Sequence, residues 1–287
     1  MLRLSRRLQT ICDMVSEGDR ICDVGCDHAH VDIRLLQEGR VASALAMDVA
    51  EGPLAKAREN LELVGLTERC EVRRSDGLSA YEPGEADVMI CSGMGGSLMR
   101  SILEAAPEKA ASFRELILSP HTEITLVRDW LRRSGFRITD EVFLEDEGKY
   151  YTVMRVSPSS GEVIRPDWDG FTAAAAGLSD AELAAAMVNR GQTVRLLEDE
   201  GFRRIAEDDY GPCILQQFLM KGEAGGEVQQ TFLRFLTGQL RSRLSMAETL
   251  AGMSGSGNAA VRLQQICGEI GILQVLLFLY RIRERFV

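Results

Sequence analysis

A chain of 287 residues, 45% hydrophobic and 26% charged, is long enough for one large or two modest domains and too apolar for a disordered polymer. Its net charge of −10 argues against non-specific binding of a polyanion, because that affinity is built from Lys and Arg neutralising phosphates. The seven cysteines (12, 22, 26, 70, 91, 213 and 267) form no Cys-x-x-Cys pair and several sit in apolar runs, which predicts reduced thiols in a cytoplasmic protein.

Along the chain, Leu4, Leu8, Ile11 and Val15 mark one face of a helix that Ser16-Glu17-Gly18 ends. This N-terminal segment has no continuous apolar block and so carries no export signal. Strands are predicted at 20–24, 43–48, 70–74, 86–91, 114–119, 136–144 and 149–156, with helices at 28–38, 52–64, 97–105 and 123–134. The last two strands form an antiparallel pair around Glu147-Gly148. Such alternation predicts a doubly wound α/β domain with a mostly parallel sheet over residues 1–157. Residues 158–208 begin as a Pro/Ser/Gly-rich linker and continue as an Ala-rich helical insertion, in which Ser179 and Glu182 are spaced as a capping box. Residues 209–287 read as a helical, coiled-coil-like region with long helices at 212–250 and 258–286. The apolar run at 271–280 is about ten residues, short of the ~20 needed to cross a bilayer, so no membrane association is expected.

In open parallel sheets, ligands bind at the carboxyl ends of the strands, where the order reverses. This chain places acids and glycines there after each of its first four strands. Asp23, Gly25 and Asp27 follow the first, Asp48 and Val49 the second, Asp76 and Gly77 the third, and Ser92-Gly93-Met94-Gly95-Gly96 the fourth. Gly25 allows close backbone approach to a ligand's amino-acid part and a nearby carboxylate can hold its ammonium. Asp48 can accept ribose hydroxyls, and Asp76-Gly77 can meet an adenine edge. A nicotinamide-type domain wants Gly-x-Gly-x-x-Gly after the first strand, and only Gly25 is present. The pattern points to a Rossmann-like class I domain that takes S-adenosylmethionine.

At these residues the sequence resembles the bacterial TrmK family, enzymes that methylate N1 of adenine 22 in the D-arm of tRNA. The likeness runs through LSRRLQTI (4–11), CDVGCDHAH (22–30), EGPLAKARENLELVGL (51–66), SDGL (75–78), SGMGGSLMRSILE (92–104), LILSP (116–120), LEDEGKYYTVMRV (144–156) and YGPCIL (210–215). It implies a methyltransferase with tRNA as partner and S-adenosylmethionine as cofactor. Asp27, His28, His30, Gly93 and Met94 would then serve the chemistry, with Asp27 stabilising the charge that grows on the base. Asp23, Gly25, Asp27, Asp48, Val49, Asp76, Gly77, Ser92 and Gly93 would hold the cofactor. Arg3, Arg6, Arg7, Gly95, Gly96, Pro120 and His121 would meet the RNA. Two positions depart from the family: His30 stands where it usually has Tyr, and Ser119-Pro120-His121 stands where it has Gln-Pro-Asn.

Other readings stay open. Asp27 can instead cap the following helix. His28 can be a structural histidine. The grouping of Cys26, Asp27, His28, His30 and Asp32 lacks a second cluster for tetrahedral zinc, so no metal is expected. The arginines at 128, 132, 133 and 137, and at 234, 241, 243, 281, 283 and 285, are candidate phosphate contacts. A methyltransferase of a small molecule or protein amide is the alternative, and a cofactor-binding module without catalysis a further one. Oligomeric state is not legible, with a monomer as the working expectation.

Overall fold

The computed structural model describes residues 3–158, 164–179, 190–220, 226–252 and 257–283. Helix α1 (Arg6–Met14) opens where the Ser5 hydroxyl accepts the Leu8 N–H, satisfying one of the helix's unpaired first-turn donors. Strands and helices then alternate as β1 (Asp19–Val24), α2 (His30–Gln37), β2 (Val41–Asp48), α3 (Glu51–Leu63), β3 (Cys70–Arg74), β4 (Val88–Ser92) and α4 (Gly96–Ala105). There follow α5 (Pro107–Ala111), β5 (Glu115–Ser119), α6 (Ile124–Arg133), β6 (Arg137–Asp146) and β7 (Lys149–Ser157).

These strands form one seven-stranded sheet of order β3-β2-β1-β4-β5-β7-β6. The first five pair in parallel, while β7 runs antiparallel to both β5 and β6. β4 and β5 are nearly continuous apolar runs, Val88-Met89-Ile90-Cys91 and Leu116-Ile117-Leu118, because a central parallel strand is covered on both faces. One face packs Ile11, Leu35 and Leu54 from α1, α2 and α3. The other packs Met99 and Leu103 from α4 with Val127 and Leu131 from α6. The β6–β7 turn is Glu147-Gly148, with φ of 50° and 75°, the two left-handed residues that a tight hairpin of this hand requires.

The strands fall within two residues of the predicted ranges at each end. Two local differences have clear causes. Helix α2 starts at His30 rather than 28, because Asp27 and Ala29 are both left-handed (φ 51° and 57°) and cannot continue a right-handed turn. The short α5, begun by Pro107 in its first turn, was not expected and fills what read as a connection.

The chain divides into two compact units, Met1–Ile164 and Arg165–Val287. The second contains α7 (Trp168–Ala176), α8 (Arg190–Glu198), α9 (Glu200–Tyr210), α10 (Pro212–Leu219), α11 (Gly226–Ala251) and α12 (Gly257–Ile282). The expected helix over 212–250 is thus two helices. The chain turns extended at Met220, just before the Gly-rich stretch Gly222-Glu223-Ala224-Gly225-Gly226. Glu182 of the anticipated capping box, and Arg285, lie outside the described residues. Within this unit Glu207 accepts from Trp168 Nε1 at 2.8 Å and from Arg165 Nε at 3.1 Å, tying α9 to the start of α7. Helices α11 and α12 pack as a hairpin. Residues Asn258–Ile282 of α12 are long and apolar enough, by length and composition alone, to cross a membrane, which the ten-residue run did not suggest. Leu273, Leu276 and Leu279 of α12 are buried within the protein.

A buried ion pair in the first unit joins α6 to β6. Arg128 and Glu141 are 2% and 0% exposed, and a guanidinium N–H lies 2.8 Å from the carboxylate. Arg128→Ala is expected to lower the unfolding free energy by about 3–5 kcal/mol, because it strands a buried carboxylate, whereas Arg128→Met with Glu141→Leu should recover most of the loss. Urea titration of the three proteins checks this.

Candidate active site

The sheet order reverses between β1 and β4, so their outgoing connections diverge and leave a cleft at the carboxyl edge. Its volume is about 270 Å³, and Asp23, Gly25, Cys26, Asp27, His28 and His30 form one wall. Ser92, Gly93 and His121 close it from the β4 and β5 side, and Arg7, Leu8 and Val31 complete the lining. All three histidines of the chain therefore meet in one place.

Backbone hydrogen bonds set this shape. The N–H groups of Gly25 and Cys26 both donate to the Met47 carbonyl, at 2.8 and 3.0 Å, folding the β1–α2 loop over the end of β2. Gly25 has φ +80°, a left-handed conformation that side chains rarely adopt, and a Cβ there would also press on the mobile end of Met94, whose Cε would be 2.8 Å away. On the other side, the His121 N–H donates to the Met94 carbonyl and the Gly96 N–H to the Thr122 carbonyl, both at 2.9 Å. A Cβ on Gly96 would lie 2.4 Å from the Glu123 carbonyl oxygen. The Gly-Met-Gly-Gly loop and the β5–α6 turn are thereby fastened backbone to backbone.

The acids differ sharply in surroundings. The Asp27 side chain is 72% exposed, and its carboxylate lies 3.5 Å from His28 Nδ1. Helix α2 has Ala29 as its N-cap and no side-chain cap bond, so the capping alternative for Asp27 does not hold. Asp23 is buried, and burial together with the nearby carboxylates of Asp32, Asp48 and Asp27 pushes its carboxyl well above the usual range. Burial pushes Asp32 up to about 6. Burial lowers the imidazole of His30, with the neighbouring His28 ring adding to the effect. It lowers His121 too, helped by the positive charges of Arg7 and Lys149. The rings of His28 and His30 meet edge-on at 5.6 Å, and His121 meets Tyr151 at 5.4 Å. Arg7, half-buried, lies 5.5 Å from the centre of the same Tyr151 ring.

Other expected residues lie elsewhere. Asp48, Val49, Asp76 and Gly77 stand at the ends of β2 and β3, outside the cleft lining, with Asp48 Oδ1 accepting the Ala50 N–H at 2.9 Å. Met94 turns inward, its sulfur 3.6 Å from Cys91 Sγ, and packs on the core. Gly95, Gly96 and the buried Pro120 shape the loops rather than line the cavity. Arg3 and Arg6 sit on a separate surface hollow with Gln9, Asp13 and Arg34. Of the basic run at 128–137, Arg128 is buried against Glu141, while Arg132 and Arg133 pair with Asp129 at the surface and Arg137 is exposed. Arg243 pairs with Glu269, whereas Arg241 and Arg281 are exposed. Leu8 and Val31 were not expected at the site, and Cys26 and the buried Asp32 entered only as members of a metal grouping that was set aside. The legible clue was Asp32, a lone acid in the apolar run Val31-Asp32-Ile33. Among the described residues no cluster of His, Cys, Asp and Glu is arranged to hold a metal ion.

Comparison with known proteins agrees with this architecture. A family model described as a methyltransferase domain matches residues 4–154. The tRNA (adenine(22)-N(1))-methyltransferase of Bacillus subtilis is 37% identical over 153 residues, which are 53% of this chain and 64% of that protein. The chain therefore aligns with less than two thirds of that curated relative. The crystal structure of B. subtilis TrmK, an M1A22 tRNA methyltransferase, superposes with a TM-score of 0.72 at 26% identity, covering 96% of this chain and all of the other. A Streptococcus pneumoniae relative, provisionally described as a tRNA (m1A22) methyltransferase and crystallised with S-adenosyl-L-methionine, gives 0.67 at 27% identity, with 96% of this chain and all of the other covered. With the matched model spanning more than half of its length and the cleft at the matching strand ends, the chain belongs to the methyltransferase-domain family.

Proposed function

We propose that this protein transfers a methyl group from S-adenosylmethionine to N1 of an adenine in tRNA, the adenine being the one at position 22 as in the named relatives. The observation that carries the reading is the convergence of two distant motifs. Asp27 and His28 of the Asp-His-Ala motif and Gly93 of the Gly-Met-Gly-Gly loop line one cleft. The free thiols, six of seven buried, support a reducing, cytoplasmic setting.

The residues present fit a cationic, amino-acid-bearing nucleoside. Gly25 leaves room for backbone approach, and the carboxylates of Asp23 and Asp27 supply negative charge for an ammonium and a sulfonium. On this reading Asp48, at the end of β2, takes the ribose hydroxyls, and Asp76-Gly77, following β3, takes the adenine. The cofactor supplies an electrophilic methyl on positively charged sulfur. Neutral adenine already carries a lone pair on N1, so the protein's work is alignment and exclusion of water rather than creation of a strong base. As N1 is alkylated the ring becomes cationic, and the solvent-facing Asp27 carboxylate stabilises that growing charge. His30 and His121, kept neutral by burial, add no opposing charge and present flat rings to a base. Extracting the adenine from its stack costs a few kcal/mol, offset by contacts to the rest of the tRNA. Exposed Arg3 and Arg6 in the first unit, and Arg241 and Arg281 in the second, are suitable phosphate contacts.

Labelled methyl transfer to a tRNA transcript with adenine at position 22, against the same transcript with guanine there, tests the substrate. Incorporation should depend on the adenine, and equal labelling of both, or labelling of protein instead, would favour the small-molecule or protein-amide alternative. Two carboxylates should separate by role. Asp48→Ala should weaken cofactor binding by about 1.5–3 kcal/mol, the worth of hydrogen bonds to a charged group. Asp27→Ala should slow turnover by about 100-fold or more with cofactor affinity within a few-fold, as expected of a group used mainly in the transition state. Calorimetric titration and single-turnover rates on both variants check the contrast.

A further inference from the structure

Behind the cleft wall lies an acid that methyl transfer does not employ. Asp32, on α2, is 0% exposed, and Asp23, which lines the cleft from the end of β1, is 4% exposed. The two carboxyl groups lie against each other. Among the described residues neither oxygen of Asp32 meets a hydrogen-bond donor. Two buried carboxylates in contact cannot both stay ionised without a cation between them.

The surrounding groups make this worse rather than better. Asp27 from the β1–α2 loop and Asp48 from β2 add negative charge to Asp23. Burial raises the thiols of Cys12 on α1, Cys22 on β1, Cys26 in the loop and Cys70 on β3, each of which also feels Asp32, so they stay neutral. Arg7, His28, His30 and His121 face the same cavity.

Resting on the reading that this cleft takes S-adenosylmethionine, we infer that Asp32 is a positioning residue whose carboxyl shares one proton with Asp23, and that entry of the cationic cofactor expels this proton. The proton goes to bulk buffer, and the pair passes from one negative charge to two. Asp23 is then fully ionised towards the cofactor's positive groups. Burial and the contact between the two groups raise both acids, so the pair gives up its shared proton at a higher pH than an ordinary carboxyl does. The sign follows. Raising the pH removes the competing proton, so affinity for the cofactor should rise with pH and level off once the free pair is fully ionised.

Calorimetry of S-adenosylmethionine binding to the full chain, in two buffers of low and high ionisation enthalpy at pH 7, reads the protons released. Asp32→Asn leaves Asp23 without its like-charged neighbour and should release about one proton fewer than the unsubstituted protein, with the cofactor's own ionisation common to both. Between pH 6 and 8 the Kd of the unsubstituted protein should fall by up to about tenfold per unit where the pair is protonated, and that of the variant should fall distinctly less. Should Asp32→Asn fail to fold, difference infrared spectra of the unsubstituted protein replace it, and the carbonyl band of a protonated carboxylic acid should vanish on adding cofactor. Equal proton release by both proteins, or a carbonyl band that survives binding, would overturn the inference while leaving the cofactor reading intact. Absence of binding at every pH would instead overturn the cofactor reading itself.

Discussion

Parallel strands whose order reverses between β1 and β4 leave a gap at the carboxyl edge of the sheet, and loops of the first unit form its rim. Its walls are loops, which on their own would be loose. Backbone bonds fix them: the Met47 carbonyl takes two N–H groups from the β1–α2 loop, and the β4–α4 loop and β5–α6 turn exchange bonds across Gly96. These bonds require glycine where a Cβ would collide, at Gly25 and Gly96. The glycines are thus part of the site's geometry although Gly96 never faces the cavity.

Charge is the second constraint. Asp23, Asp27, Asp32 and Asp48 collect at one edge, an arrangement of like charges that is unfavourable by itself and is relieved by protonation or by a cation. A methyl donor carrying a sulfonium and an ammonium is such a cation. An adenine methylated at N1 is another. The same negative field therefore suits both the reactant that enters and the product that forms, while the phosphates of an RNA must be met at exposed arginines farther out. On the proposed reading, that separation would let a protein with a net charge of −10 act on a polyanion.

Much of this was legible in the sequence, for identifiable reasons. Strand periodicity and the acid or glycine after each strand are local signals, and they located the sheet and the wall from Asp23 to His30. The bend at Asp27 and Ala29 was not legible, because left-handed residues other than glycine leave no compositional mark. Nor was the fate of the arginines. Arg128 reads as part of a surface cluster until β6 brings Glu141 beneath it, thirteen positions later. Asp32 was visible as a misplaced acid in an apolar helix, but its partner, Asp23, is set by the packing of α2 on β1. The sequence after residue 212 reads as two long helices, while the end of the first at Leu219, where Met220 turns extended, carries no breaker within the helix itself.

The account stands or falls on the product. Nucleoside mass spectrometry of tRNA purified from cells with and without this gene measures it directly. The account predicts 1-methyladenosine at position 22 in the first sample and unmodified adenosine there in the second, restored by the unsubstituted gene and not by one encoding Asp27→Ala. Undiminished 1-methyladenosine at that position in cells lacking the gene would contradict it.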